Sequence, residues 1–237
     1  MEDTAPEEWS PRDGLRAAFG VLTYGVVMWA NGSAGSGSLS GESVGVVANR
    51  YRSDFLPADW VFGIWGFIYL SLLAFTVYQA LPKVRSGEVM RRLGWWWPIN
   101  GVLNIAWIVT FSFSRFWLAM GIMLLLLLCL IVMHVRIGPV QSLRWPDRAF
   151  VSFPFDLYLA WIAVALIANS FQYAHVVGFA GFGIPESTWA VLMMGVATGL
   201  GAWMAWGRGM WVFPPVVAWA LYGIGARYPD RSEEHTS

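Results

Sequence analysis

Apolar residues along this chain fall into seven runs separated by polar stretches, and the lengths of the runs predict helices. The second run is the clearest. Residues 60–81 contain no charged side chain, and at about 1.5 Å per residue they extend about 33 Å, enough to cross a hydrocarbon core. The other predicted helices cover about 15–30, 95–113, 116–135, 150–169, 188–206 and 210–226. Residues 1–14 are acidic with two prolines and read as a short disordered lead. Residues 31–58 turn to Gly, Ser and Asn, which predicts a flexible loop outside the membrane. The organisation is therefore a bundle over 15–173, a loop over 174–187, two further helices over 188–227, and a tail over 228–237. The last seven residues, RSEEHTS, match what an in-frame read through a sequencing adaptor encodes and are expected to be non-native.

Composition sharpens this into a class. At 57% hydrophobic and 13% charged residues, the chain has more apolar surface than one soluble core hides, so an all-α integral membrane protein is expected. Sixteen tryptophans exceed what two interfacial belts require, so some rings should line an interior surface. Net charge is zero and no basic run occurs, which argues against nucleic acid as a partner. The single cysteine, Cys129, excludes an intrachain disulfide and a cysteine metal cluster. No nucleophile–base–orienter set, metal cluster or phosphate loop stands out, so no catalytic residue, no metal and no required cofactor are expected. The one lysine, Lys83, lies in a loop, which excludes a retinal Schiff base in the seventh helix. Counting Lys and Arg on either side of seven spans gives ten against five, placing the N-terminus in the cytoplasm.

The polar and aromatic positions inside the runs are the candidates for function. Trp65 and Tyr69, four apart, share a helix face, although an isolated Trp65 reads as a packing residue. Asn100 and Asn104 stack on one face with Trp107 three residues on, implying either interhelical hydrogen bonds or a polar patch in a cavity. The fifth run carries Tyr158, Trp161 and Asn169. Asp156 is expected in the first turn of a helix starting at Pro154, favoured there by the helix dipole; placed deeper, it would be a proton or cation site. His134 is expected to be interfacial and solvated, and the leucine-rich run over 123–133 to face lipid. Gly195 and Gly199 form a small-residue ridge, and Pro214-Pro215 predicts a kink near the start of the seventh helix.

These residues also carry a resemblance. Residues 15–173 resemble the TspO/MBR family, the tryptophan-rich sensory proteins related to the mitochondrial translocator protein. The similarity rests on Trp60-Val61-Phe62 with Trp65 and Tyr69, on Asn100, Asn104 and Trp107, and on Tyr158, Trp161, Ala165 and Asn169. The chain departs from the family pattern in two places: Trp60 and Trp65 are one residue closer than the pattern's pair, and RSDFLPAD at 52–59 replaces the lid sequence. The resemblance implies a five-helix bundle, here with two additional C-terminal helices, enclosing a ligand cavity in a bacterial inner membrane. It implies binding, with possible transport, of tetrapyrroles such as porphyrin or haem, or of a sterol-like molecule, and a homodimer. Trp65 and Trp161 would be the cavity pair, and Tyr69, Asn100, Asn104, Trp107, Tyr158 and Asn169 the remaining wall. Two other functions are compatible with these residues: a proton-coupled transporter using Asp156, or an enzyme degrading porphyrin at the tryptophan pair.

Overall fold

In the computed structural model, which describes residues 10–50 and 53–227, every regular element among the described residues is helical. Seven helices are long: α1 (Pro11–Ser36), α2 (Ile64–Ala80), α3 (Trp96–Ser112), α4 (Phe116–Ile137), α5 (Phe153–Val176), α6 (Glu186–Arg208) and α7 (Phe213–Arg227). This is the arrangement a bilayer demands, since a helix satisfies all its backbone groups within itself. Helices α1, α2, α5, α4 and α3 pack in that order around a closed ring, and α6 and α7 pair as a hairpin laid against α5. Among the described residues four segments are long and apolar enough to cross a membrane: Asp59–Ala80, Phe116–Ile137, Trp145–Val176 and Glu186–Arg208. Helix α1 is more polar, and α3 and α7 are shorter, at 17 and 15 residues.

The first helix is longer at both ends than its apolar run predicts. Ser10 caps it, its hydroxyl accepting from the Arg12 N–H at 3.3 Å, and Pro11 occupies the first helical position, so residues 11–14 are helix rather than disordered lead. Residues 1–9 lie outside the described residues. At the other end the helix continues through residues 31–36, which the Gly/Ser composition assigns to a loop. Ala30 and Ala34 are fully buried there, and the Asn31 amide bonds back to Val27 O at 2.9 Å. Burial of the small residues outweighs the low helix propensity of Gly, Ser and Asn. Helices α1 and α3 meet closely because Gly101 has no side chain: a β-carbon there would sit 2.0 Å from Thr23 Cγ2.

Three further expectations change. The run over 123–133 is not a lipid face as a whole, because Met123, Leu126, Cys129, Leu130 and Met133 are buried while Leu124, Leu125, Leu128 and Ile131 are exposed. Gly195 and Gly199 face open space, and Gly201 is the glycine that meets Val217 and Phe213 of α7. Pro214 and Pro215 lie in the first turn of α7, where a missing N–H costs no helical hydrogen bond, so they start the helix rather than kink it. The tail over 228–237, including the seven adaptor-like residues, lies outside the described residues.

Candidate functional site

A cavity of about 1170 Å³ occupies the end of the ring where α1, α3 and α5 finish and α2 and α4 begin. Its depth is aromatic and apolar: Trp65 and Tyr69 from α2, Trp107 and Phe111 from α3, Met123 from α4, Trp161 and Ala165 from α5. Its roof comes from the segment between α1 and α2, where Val44–Asn49 forms a short helix and residues 55–59 fold back over the opening. Phe55 anchors that roof, fully buried and stacked on Phe171 of α5 with ring centroids 5.3 Å apart. The amide of Gln172 donates to Val47 O and Ala48 O, both at 3.4 Å, and the Asp54 N–H donates to Glu186 at 2.7 Å. The region with the weakest family likeness thus forms one side of the cavity.

Trp65 is the centre of the aromatic surface. Its ring stacks on Tyr69 at 5.4 Å and on Trp107 at 5.8 Å, and meets Tyr158 and Trp161 edge-on at 5.9 and 6.2 Å. The five-residue 3-10 turn Asp59–Gly63 precedes α2 and sets the rotation at which Trp65 enters the bundle. Trp60, five residues earlier, points elsewhere and packs against Trp219 of α7 at 4.8 Å. The indole N–H groups of Trp107 and Trp161 are buried without a hydrogen-bond partner among the described residues. Each orphan costs about 1–3 kcal/mol.

Beside the rings stand amide side chains, buried at Asn104 and half-buried at Asn31 and Asn169. Asn31 donates to Asn104 Oδ1 at 2.8 Å, and Asn104 Nδ2 donates to the Tyr158 hydroxyl at 2.6 Å, tying α1, α3 and α5 together. Asn169 Nδ2 donates to Met123 Sδ at 3.0 Å. The predicted residues therefore divide into groups. Trp65, Tyr69, Trp107, Trp161 and Asn169 line the cavity, while Asn104 and Tyr158 stand directly behind it. Asn100, fully buried one turn from Asn104, does not reach the cavity, and among the described residues neither of its amide atoms has a partner at full hydrogen-bond geometry, Cys129 being the polar group beside it. Sequence reasoning missed Asn31, Phe55, Gln172, Arg50 and Arg227, all in the wall or rim. An isolated Asn at the end of an apolar run was the one available signal for Asn31.

Asp156 and His134 lie toward the opposite end of the ring from the cavity. Asp156 falls in the first turn of α5, but helical backbone continues upstream through a π-helical stretch, Arg148–Ser152, so the carboxylate is buried rather than solvated. It accepts from Ser152 Oγ at 2.8 Å and contacts His134 Nδ1 at 2.9 Å. His134 is itself buried, at 6% exposure, which overturns the solvated interfacial reading. The reason is tertiary: α4 and α5 pack face to face here, and each supplies the other's polar partner. Among the described residues no group of three or more His, Cys, Asp or Glu is placed to hold a metal ion.

A ring of membrane helices around an aromatic hollow, with amides in and beside its wall and, among the described lining residues, charged groups at its rim, defines an integral membrane protein. The family model described as TSPO-like protein matches residues 17–236, and the chain belongs to that family, which places it with membrane proteins of the binding or sensing kind. The match extends across α6 and α7, beyond the stretch to residue 173 on which the motif likeness rests. No curated protein and no solved structure matches the chain.

Proposed function

We propose that the protein binds a flat, tetrapyrrole-like molecule such as a porphyrin or haem in this cavity, as a membrane sensor or carrier. The observation that supports this reading is the arrangement at Trp65, whose ring stacks with Tyr69 and Trp107 and meets Trp161 edge-on, with a void of about 1170 Å³ beside these rings. Small-molecule sites are typically about 300–1,000 Å³, so a large planar ligand suits this one better than a small metabolite. Extended π-systems stack on indole rings, and indole and phenol rings line this cavity at Trp65, Trp107 and Tyr69. The N-terminus is assigned to the cytoplasm of a bacterial inner membrane, with the cavity rim on the far side; a reporter fused after Ala226 should read as extracytoplasmic.

Titration of the detergent-solubilised protein with protoporphyrin IX, followed by its Soret band, tests the ligand class. At about 0.5–1.5 kcal/mol per aromatic contact, the Trp65→Phe, Trp161→Phe double variant should bind at least about fivefold more weakly. Equal affinity in the double variant and the parent removes the site.

The buried His134–Asp156 contact favours a second reading, a proton-coupled carrier, because ionisable groups inside a membrane helix bundle are costly and characteristically mark proton or ion pathways. Uptake into vesicles that is indifferent both to pH and to Asp156→Asn dismisses it.

A further inference from the structure

Helix α7 contributes three residues to the cavity wall: Ala220, Ile224 and Arg227. Spaced four and three apart, they share one face of the helix. Close packing holds that face in place. A β-carbon on Gly223 would lie 2.0 Å from Val61 Cγ2, so only glycine permits this approach of α7 to the turn before α2. Gly223 O accepts from the Ala58 N–H at 3.0 Å, and Trp219 Nε1 donates to Val61 O at 3.1 Å. The hairpin is thus fastened to the roof segment and is continuous with the hollow.

Arg227 ends the stripe at the rim. Its side chain is 14% exposed, and its near partners are neutral: Pro57 O at 2.8 Å and Asn49 Oδ1 at 2.6 Å. It also forms an ion pair with Asp59, whose carboxylate stands 3.5 Å away, is 75% exposed, and accepts from Asn49 Nδ2 at 3.0 Å. Arg50, the other rim guanidinium lining the cavity, differs, since it pairs directly with Glu42 and donates to Ser114 at 2.9 Å. A guanidinium largely removed from water, whose one ion pair among the described residues is long and reaches a mostly exposed carboxylate, gains from a second anion brought to hydrogen-bonding distance.

Building on the porphyrin-type reading, we propose that α7 is the sixth wall of the ligand site and selects planar apolar molecules that carry an acidic edge. Ala220 and Ile224 face the apolar body, and Arg227 receives a carboxylate.

The test compares protoporphyrin IX, whose edge carries two propionates, with its neutral dimethyl ester, titrated by Soret absorbance into the full-length protein in detergent. The parent protein should prefer the diacid by about tenfold, equivalent to about 1.4 kcal/mol. Arg227→Gln should weaken the diacid to the level of the diester and change the diester by less than about twofold, and Arg227→Lys should keep part of the preference. Ala220→Phe, which fills the wall, should weaken both ligands about tenfold. Equal binding of diacid and diester by the parent, or an equal loss of both in Arg227→Gln, makes Arg227 a clamp on Pro57 and Asn49 only and overturns the acid-binding role. Unchanged binding of both in Ala220→Phe overturns the wall. Binding of neither porphyrin by the parent overturns the ligand reading itself and this inference with it, a result distinct from binding without acid preference.

Discussion

Replacing Tyr158 with Phe removes one oxygen atom from a residue that is 1% exposed, and the cost is set by a single hydrogen bond. The hydroxyl accepts from Asn104 Nδ2 at 2.6 Å, so its loss takes from a buried amide N–H its short-range acceptor, while Asn104 Oδ1 keeps its bond from Asn31 at 2.8 Å. An orphaned buried donor costs about 1–3 kcal/mol in a soluble protein. Hydrogen bonds between membrane helices average nearer 0.6 and reach about 1.7 kcal/mol, because the separated helices also find partners. A loss of about 1–1.7 kcal/mol is therefore expected. For a chain of this length it lowers the melting temperature by about 2–7 °C, at roughly 2–4 °C per kcal/mol. The ring of Tyr158 stays in place against Trp65, so porphyrin affinity should change by less than about twofold. The assay is thermal unfolding in detergent, monitored by near-UV circular dichroism. Adding Asn104→Leu should recover most of the loss, because the orphan is gone and Asn31 retains Val27 O at 2.9 Å. A Tyr158→Phe protein that melts with the parent, or a double variant that loses the sum of the two single changes, refutes the assignment of Asn104 and Tyr158 to one network.

Packing sets two more outcomes. His134→Leu leaves the buried Asp156 carboxylate with the Ser152 hydroxyl as its remaining hydrogen-bond partner among the described residues, and should cost about 3–5 kcal/mol; adding Asp156→Leu should restore most of it. A double-mutant cycle on melting that finds no coupling between the two positions would contradict the buried pair. Gly101→Val places a β-carbon 2.0 Å from Thr23 Cγ2 and should destabilise the α1–α3 contact by about 1–3 kcal/mol or more; an unchanged melting temperature would mean that the helices are not in close approach.

The placement of His134 and the leucines of α4 shows where a sequence stops being informative in a membrane protein. In water, an amphipathic stripe reveals which side of a helix is buried; in lipid, both sides are apolar, and hydropathy carries no phase. Leu124 and Leu126 are chemically identical, yet one is exposed and the other has no accessible surface. The polar residues held more information. Asn104 and Asn169 had to find partners, and the structure supplies Tyr158, Asn31 and Met123, but their spacing could not separate Asn104, beside the cavity, from Asn100, one turn away.

The chain alone determined that it enters a membrane as helices, because its uncharged runs leave no other way to satisfy the backbone, and that rings at 65, 107 and 161 belong to three different helices. Tertiary packing decided the rest: which indoles turn inward, that a Gly/Ser-rich stretch becomes helix and roof, that His134 meets Asp156, and that α7 closes the hollow. Those outcomes depend on contacts between residues more than 20 positions apart, and helix rotation in lipid is set by such contacts rather than by any local preference.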